Sequence, residues 1–356
     1  MEANNFSKQI IHWYRQHKRD LPWRDTQDPY LIWLSEIILQ QTRVKQGLPY
    51  FYRFVEAFPT IHDLAEAQEQ EVLRLWQGLG YYSRARNLHS CAKTIVRDYQ
   101  AKFPQTYKEL IKLKGIGAYT AAAIASFAFN EEVAVVDGNV FRVLSRVFGV
   151  KEDILSSKGQ KKFQQLANTL VPDGLAGEYN QSIMEFGALQ CTPRSPACLL
   201  CPVTSFCYAY QNNAQQSLPV KIKKVKVKKR HFSYIVLQRG NHLFMKERSA
   251  KDIWRGLYDF YLIESKQDID DVSAIDDPLV TEVMATASPT VEMSGLYKHQ
   301  LTHQQLQVRF FTFSVEEQRL ADSLLTQRGL SAYNIEEVKG LPKPILIDKY
   351  LSEVIF

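Results

Sequence analysis

The residues able to do chemistry in this chain fall in three places. Cys191-x6-Cys198-x2-Cys201-x5-Cys207 packs four of the five cysteines into seventeen residues. Thiolates so close in sequence converge on a soft metal centre, either zinc or an iron–sulfur cluster. Zinc sites usually present two close knuckles, and here only the central pair is close, which favours a [4Fe–4S] cluster and leaves four-cysteine zinc as the alternative. Cys91, the fifth, stands alone in a helical stretch and reads as a small buried apolar residue. Glu36 lies in PYLIWLSEIILQQT, flanked at helical spacing by Ile32, Trp33, Leu39 and Gln40. A carboxyl beside an apolar face has a raised pKa, which suits a general acid working near neutrality; the plainer reading is an edge glutamate bonded to backbone. Asp137, in VVDGNV before VFRVLSRVF, reads first as a helix N-cap.

The elements that must position these groups are mostly helical. Asn5 to His17 forms an amphipathic helix, followed by the aromatic and basic turn RDLPWR. Asp28 and Pro29 cap and open the helix that carries Glu36. From Tyr50 to Tyr99 the helical period continues, with Phe58-Pro59-Thr60 as a break and Thr60 as a cap. Between two of these helices, LWQGLGYYSRARN either presents Tyr81, Tyr82, Arg84 and Arg86 to a polyanion or makes a tight turn with half-buried tyrosines. LKGIGAYTAAAIASF reads as a glycine hairpin between two helices. Gly115 and Gly117 supply the positive φ, and the alanine-rich helix behind them turns free N–H groups towards a phosphate. Lys158 to Leu170 and Tyr179 to Leu189 add two helices before the cysteine loop.

At Ser217 to Arg230 the composition changes. Seven basic residues and no acid fall between Lys221 and Arg230, as expected of a linker crossing a phosphate backbone. Beyond it the period becomes two. HFSYIVLQR and HLFMKER flank a turn at Gly240-Asn241, Trp254 to Ile263 and Gln307 to Val315 add strands, and Glu316 to Arg328 and Pro342 to Val354 read as helices. The C-terminal third is therefore α+β. At 356 residues and a formal net charge of +6, the chain is expected to hold two domains and to suit a polyanionic partner. No span-length apolar run or cleavable leader is evident, so the expectation is a soluble, intracellular, cytoplasmic and nucleoid-associated protein.

Together and in this order, these motifs resemble the adenine DNA glycosylases that act on A opposite 8-oxoguanine, the MutY family, over almost the whole chain. The resemblance implies a helix–hairpin–helix glycosylase domain with a [4Fe–4S] loop at 1–212, a basic linker at 213–230 and a Nudix-like 8-oxoguanine recognition domain at 231–356. It implies that Cys191, Cys198, Cys201 and Cys207 hold the cluster. It makes Glu36 the acid and Asp137 the carboxylate facing the sugar, supported by Tyr119 and Asn139. Trp23, Arg24, Leu39 and Gln181 match positions near the flipped adenine. Gln41 and Tyr81 match positions at the opposing base, with Thr42, Leu79, Gly115 and Gly117 also at the DNA. Endonuclease III-type enzymes carry a lysine where this chain has Tyr119, so the resemblance implies base removal without strand cleavage. Leu301-Thr302-His303 stands where many relatives have Phe-Ser-His in the loop that reads 8-oxoguanine. The implied partner is duplex DNA bearing A:8-oxoguanine or A:G mispairs, bound by a monomer with no membrane attachment. The competing readings are an endonuclease III-like pyrimidine glycosylase and lyase, and a non-catalytic iron–sulfur DNA binder.

Overall fold

The computed structural model describes residues 2–222, 227–249, 253–316 and 322–356. The chain divides into two compact units: Met1–Glu66 with Asn87–Lys223, and Ala67–Arg86 with Lys224–Phe356. Residues 223–226, within the predicted basic stretch, lie outside the described residues.

The first unit is helical. It holds α1 (Glu2–His17), α2 (Pro29–Leu39), α3 (Val44–Ala57) and α4 (Ile61–Glu66). After α5 (Glu69–Trp76), which belongs to the other unit, the division falls inside α6 (Ser83–Tyr99). The first unit continues through α7 (Tyr107–Leu110), α8 (Ala118–Phe129), α9 (Gly138–Phe148), α10 (Ser157–Leu170), α11 (Ala176–Leu189) and α12 (Tyr208–Gln211). Its main core joins Phe6, Ile10 and Trp13 of α1 to Val143, Leu144 and Val147 of α9, Phe163 of α10, and Ile183 and Phe186 of α11. The cap expected at Asp28 forms. Its side chain accepts from Tyr30 N at 2.8 Å, with Pro29 at the first helical position. Behind this cap α2 buries Tyr30 and the whole run from Ile32 to Ile38, Glu36 included.

The glycine hairpin differs from expectation in two ways. Its first helix is the single turn α7, capped by Thr106, rather than a helix from Gln105 to Leu113. Gly115 does take a positive φ of 86°, but Gly117 sits at φ −88° and ψ 177° as the extended N-cap of α8. One left-handed residue is enough to reverse the chain, and the cap position itself needs only an extended backbone. Behind it, α8 buries Thr120 to Ser126, its small side chains allowing close packing on α2 and α11.

The second unit is built on a mixed sheet. Its strands are β1 (Lys228–Arg239), β2 (His242–Glu247), β3 (Tyr258–Asp259), β4 (Tyr261–Ser265), β5 (Thr290–Met293), β6 (Tyr297–Gln300), β7 (Gln304–Val315) and β8 (Ser331–Asn334). The central pair β1 and β7 is parallel, with Lys228 opposite Gln304 and Arg239 opposite Val315, and the other pairings are antiparallel. The helices are α13 (Pro278–Ala287), α14 (Asp322–Gln327), α15 (Ile335–Gly340) and α16 (Ile345–Val354). The period of two decides what each face packs against. Ile235, Leu237, Phe311 and Phe313 join Leu279, Val280 and Val283 of α13, whereas Tyr234 and Phe310 stack in line with Tyr350 of α16. Trp254 to Ile263 is not one strand: Trp254 sits in a turn at φ 65°, and pairing begins at Tyr258. Of the helix expected at Glu316 to Arg328, residues 317–321 lie outside the described residues.

Residues 67–86 read as part of the helical run, yet they pack with this unit. Gln70 Nε2 donates to Tyr258 Oη at 2.9 Å, and Lys343 N donates to Gln77 Oε1 at 3.1 Å. The period of a helix reports that one face is buried and does not name the partner.

Candidate active site

Glu36 is 6% exposed on α2 and lines a cavity with the first residues of α8. Burial pushes its carboxyl up to about 7, with Asp137 adding to the rise; a hydrogen bond with Tyr119 and the charge of Arg24 work against it. Asp137 is the N-cap of α9. It accepts from Asn139 N and Val140 N, each at 2.8 Å, and from Asn139 Nδ2 at 2.9 Å. Burial raises this carboxyl too, against three N–H donors that favour its ionised form. The two acids therefore differ in kind of surroundings: one hydroxyl for Glu36, three N–H groups for Asp137.

Both acids line one cavity of about 680 Å³, together with Tyr119, Asn139, Trp23, Arg24, Leu39, Gln181, Gln41, Thr42 and Gly117. That volume holds a purine with room for part of a sugar. Trp23 is buried edge-on against Phe51 at 5.1 Å. Arg24 is clamped by Glu185 through two bonds of 2.9 and 2.7 Å, and Arg19 binds the same carboxylate at 2.8 and 2.6 Å. Burial alone would raise Glu185, but the two guanidinium groups outweigh it and hold the acid at about 2. Sequence reasoning missed Glu185. Its one signal was an acid on the otherwise apolar face of SIMEFGAL.

Arg142, also missed, ties this cavity to the cysteine loop. Its guanidinium donates to Cys191 O at 2.8 Å, Gly187 O at 2.7 Å and Asn139 Oδ1 at 2.8 Å, and Asn139 in turn holds Asp137. The four cysteines Cys191, Cys198, Cys201 and Cys207 line a second, small cavity. Arg146 lies beside it, 2% exposed, with Nη1 donating to Cys191 Sγ at 3.5 Å and to Thr192 O at 2.7 Å. Among the described residues no carboxylate pairs with Arg146. A buried cation needs a counter-charge, and thiolates around a cluster supply it, so the residues fit an anionic iron–sulfur centre. Cys91 is 1% exposed, and burial pushes its thiol up to about 12, as a buried apolar residue should show.

The remaining expected site residues lie elsewhere. Gly115 is at the hairpin, where an added Cβ would come 2.7 Å from Asn87 Cβ. Leu79 is buried and Tyr81 is 45% exposed in the second unit. Gln41 and Tyr81 both hold left-handed backbone, at φ 58° and 48°. Leu301, Thr302 and His303 form the turn between β6 and β7, with Thr302 hydrogen-bonded to Tyr81. The arginines of that tyrosine loop are engaged within the fold, while Tyr81 itself is exposed. Arg84 donates to Leu79 O and Gly80 O and covers the Trp76 ring at 4.9 Å, and Arg86 donates to Arg255 O at 2.5 Å.

Residues 34–172 match the HhH-GPD superfamily base excision DNA repair protein model, residues 233–353 the NUDIX domain, and residues 191–207 the iron-sulfur binding domain of endonuclease III. An adenine DNA glycosylase of Buchnera aphidicola subsp. Schizaphis graminum is 37% identical over 73% of this chain and 76% of its own length. The chain belongs to the adenine DNA glycosylases. It is a base-excision DNA glycosylase with a [4Fe–4S] site and a Nudix-like C-terminal domain. The human adenine DNA glycosylase is 43% identical over 61% of this chain and 41% of its own length. A solved thermostable thymine-DNA glycosylase is 30% identical, with a TM-score of 0.54, over 59% of this chain and 97% of that one. Among the described residues no helix is long and apolar enough to cross a membrane.

Proposed function

We propose that this glycosylase releases adenine mispaired with 8-oxoguanine or guanine in duplex DNA, by hydrolysis of the N-glycosidic bond and without cutting the strand. The observation that carries the reading is the pair of carboxyls in one cavity with unlike surroundings. Glu36 is protonated near neutrality and gives its proton to adenine N7. The C1′–N9 bond breaks with its electron pair on the departing base. Asp137, whose three N–H donors offset part of the cost of burying its carboxylate, faces the positive charge left at C1′ and bonds to it transiently. Glu36, now a carboxylate, takes a proton from water, whose hydroxyl adds to C1′ and frees Asp137.

Tyr119 supports the strand-sparing part of this reading. Its hydroxyl is engaged with Glu36, and burial raises it well above its ordinary range. It offers no amine to form a Schiff base with the sugar. Gln41 and Tyr81 support the opposing-base part, since exposed side chains on left-handed backbone are held in place at a cost of about 1 kcal/mol or more each. Leu301, Thr302 and His303 are proposed to read 8-oxoguanine. Cys191, Cys198, Cys201 and Cys207 hold the cluster, which when bound cross-links the loop that Arg142 and Arg146 grip.

The test compares excision from duplexes holding A opposite 8-oxoguanine, A opposite G, or an oxidised pyrimidine. Adenine release from the first two, with strands intact until alkali treatment, is expected. Release of the pyrimidine alone, or a borohydride-trapped protein adduct formed efficiently with the first duplex, would overturn the reading.

A further inference from the structure

Tyr14 lies on α1, 4% exposed, behind the wall of the active-site cavity rather than in it. Its hydroxyl donates to Gln181 Oε1 at 2.7 Å, across 167 residues of sequence. Gln181 lines the cavity, and among the described residues no protein acceptor takes its Nε2 hydrogens. A side-chain amide can sit in either of two orientations related by a half-turn, and only its hydrogen bonds choose between them. A phenol that bonds one amide oxygen makes that choice, because leaving its own O–H unmade would cost more than leaving an acceptor unfilled. We propose that Tyr14 is a positioning residue that pins the Gln181 carbonyl away from the base, so that Gln181 turns only its N–H donors to the purine.

Adenine presents N1, N3 and N7 as acceptors to such a donor, and its N6 amine, itself a donor, must be met by an acceptor other than Gln181. Hypoxanthine carries a hydrogen on N1, which a freely turning amide can accept and a pinned one cannot. Two features hold the pin. Arg24 lies over the Tyr14 ring at 5.6 Å while clamped to Glu185, and burial pushes the phenol up to about 12, so it remains a donor across the working pH range. The inference rests on the adenine reading above.

The experiment is a cycle of Tyr14→Phe, Gln181→Leu and the double variant in the full-length, cluster-loaded protein. Single-turnover base release is followed from duplexes with adenine or hypoxanthine opposite 8-oxoguanine, with DNA affinity, cluster content and Tm measured alongside. Tyr14→Phe is expected to slow adenine release about five- to tenfold at unchanged DNA affinity, the effect of one neutral hydrogen bond. It should narrow the preference for adenine over hypoxanthine and add nothing in the Gln181→Leu background. Effects that multiply in the double variant, or a Tyr14→Phe protein with wild-type rate and preference, would overturn the positioning role alone. A wild-type protein that releases no adenine would overturn the adenine reading, and this inference with it.

Discussion

Burial holds the Glu36 carboxyl at about 7 in the fold against 4.5 when unperturbed, so folding favours the protonated form. That contribution is present below pH 4.5 and is lost as pH rises towards 7, amounting to about 3 kcal/mol. Glu36→Gln should therefore raise Tm relative to wild type at pH 8 and leave it nearly unchanged at pH 4.5, as calorimetry would show. Tyr119 pulls the Glu36 carboxyl down. Tyr119→Phe should accordingly move the alkaline limb of the excision rate to higher pH, and an unmoved limb would show that this hydrogen bond does not set the acid. The burial of Glu36 and the cap at Asp137 were legible in the sequence because helical spacing and capping are local. Glu185, Tyr14 and the tie from Arg142 to the cysteine loop were not, because the partners involved lie 45 to 167 residues away.

At the scale of elements, the hairpin before α8 was legible as glycines between helices, though only one of the two needs glycine. Gly115→Ala meets both a positive φ and an Asn87 Cβ at 2.7 Å, whereas Gly117→Ala meets an extended backbone and open space. The first should cost about 1–3 kcal/mol of stability and the second less than about 1, measured by denaturant unfolding. The link between α9, α11 and the cysteine loop turns on Arg142. Arg142→Gln should lower both the excision rate and the retained iron and sulfide, because it frees Asn139 and the Cys191 carbonyl together. Full cluster content with a normal rate would show that the link is idle.

At the scale of the molecule, the sequence indicated two bodies and a basic stretch between them, and their content differs in one respect. Residues 67–86 belong with the C-terminal unit through Gln70, Gln77, Tyr81 and Arg86. A chain ending at residue 222 should thus expose the apolar side of α5 and show a lower Tm and greater aggregation than the full chain, observable by scattering on heating. An equally stable truncated chain would show that these contacts add little. The proposed chemistry turns on one acid and one mispaired base, so the most direct measurement is single-turnover adenine release from an A:8-oxoguanine duplex across pH, by wild type and Glu36→Gln. The wild-type rate should fall above about pH 7 as Glu36 loses its proton and fall again in acid as Asp137 gains one, with the variant at least about a hundredfold slower at the optimum. A variant that matches the wild-type rate, or a wild type that releases no adenine, would contradict it.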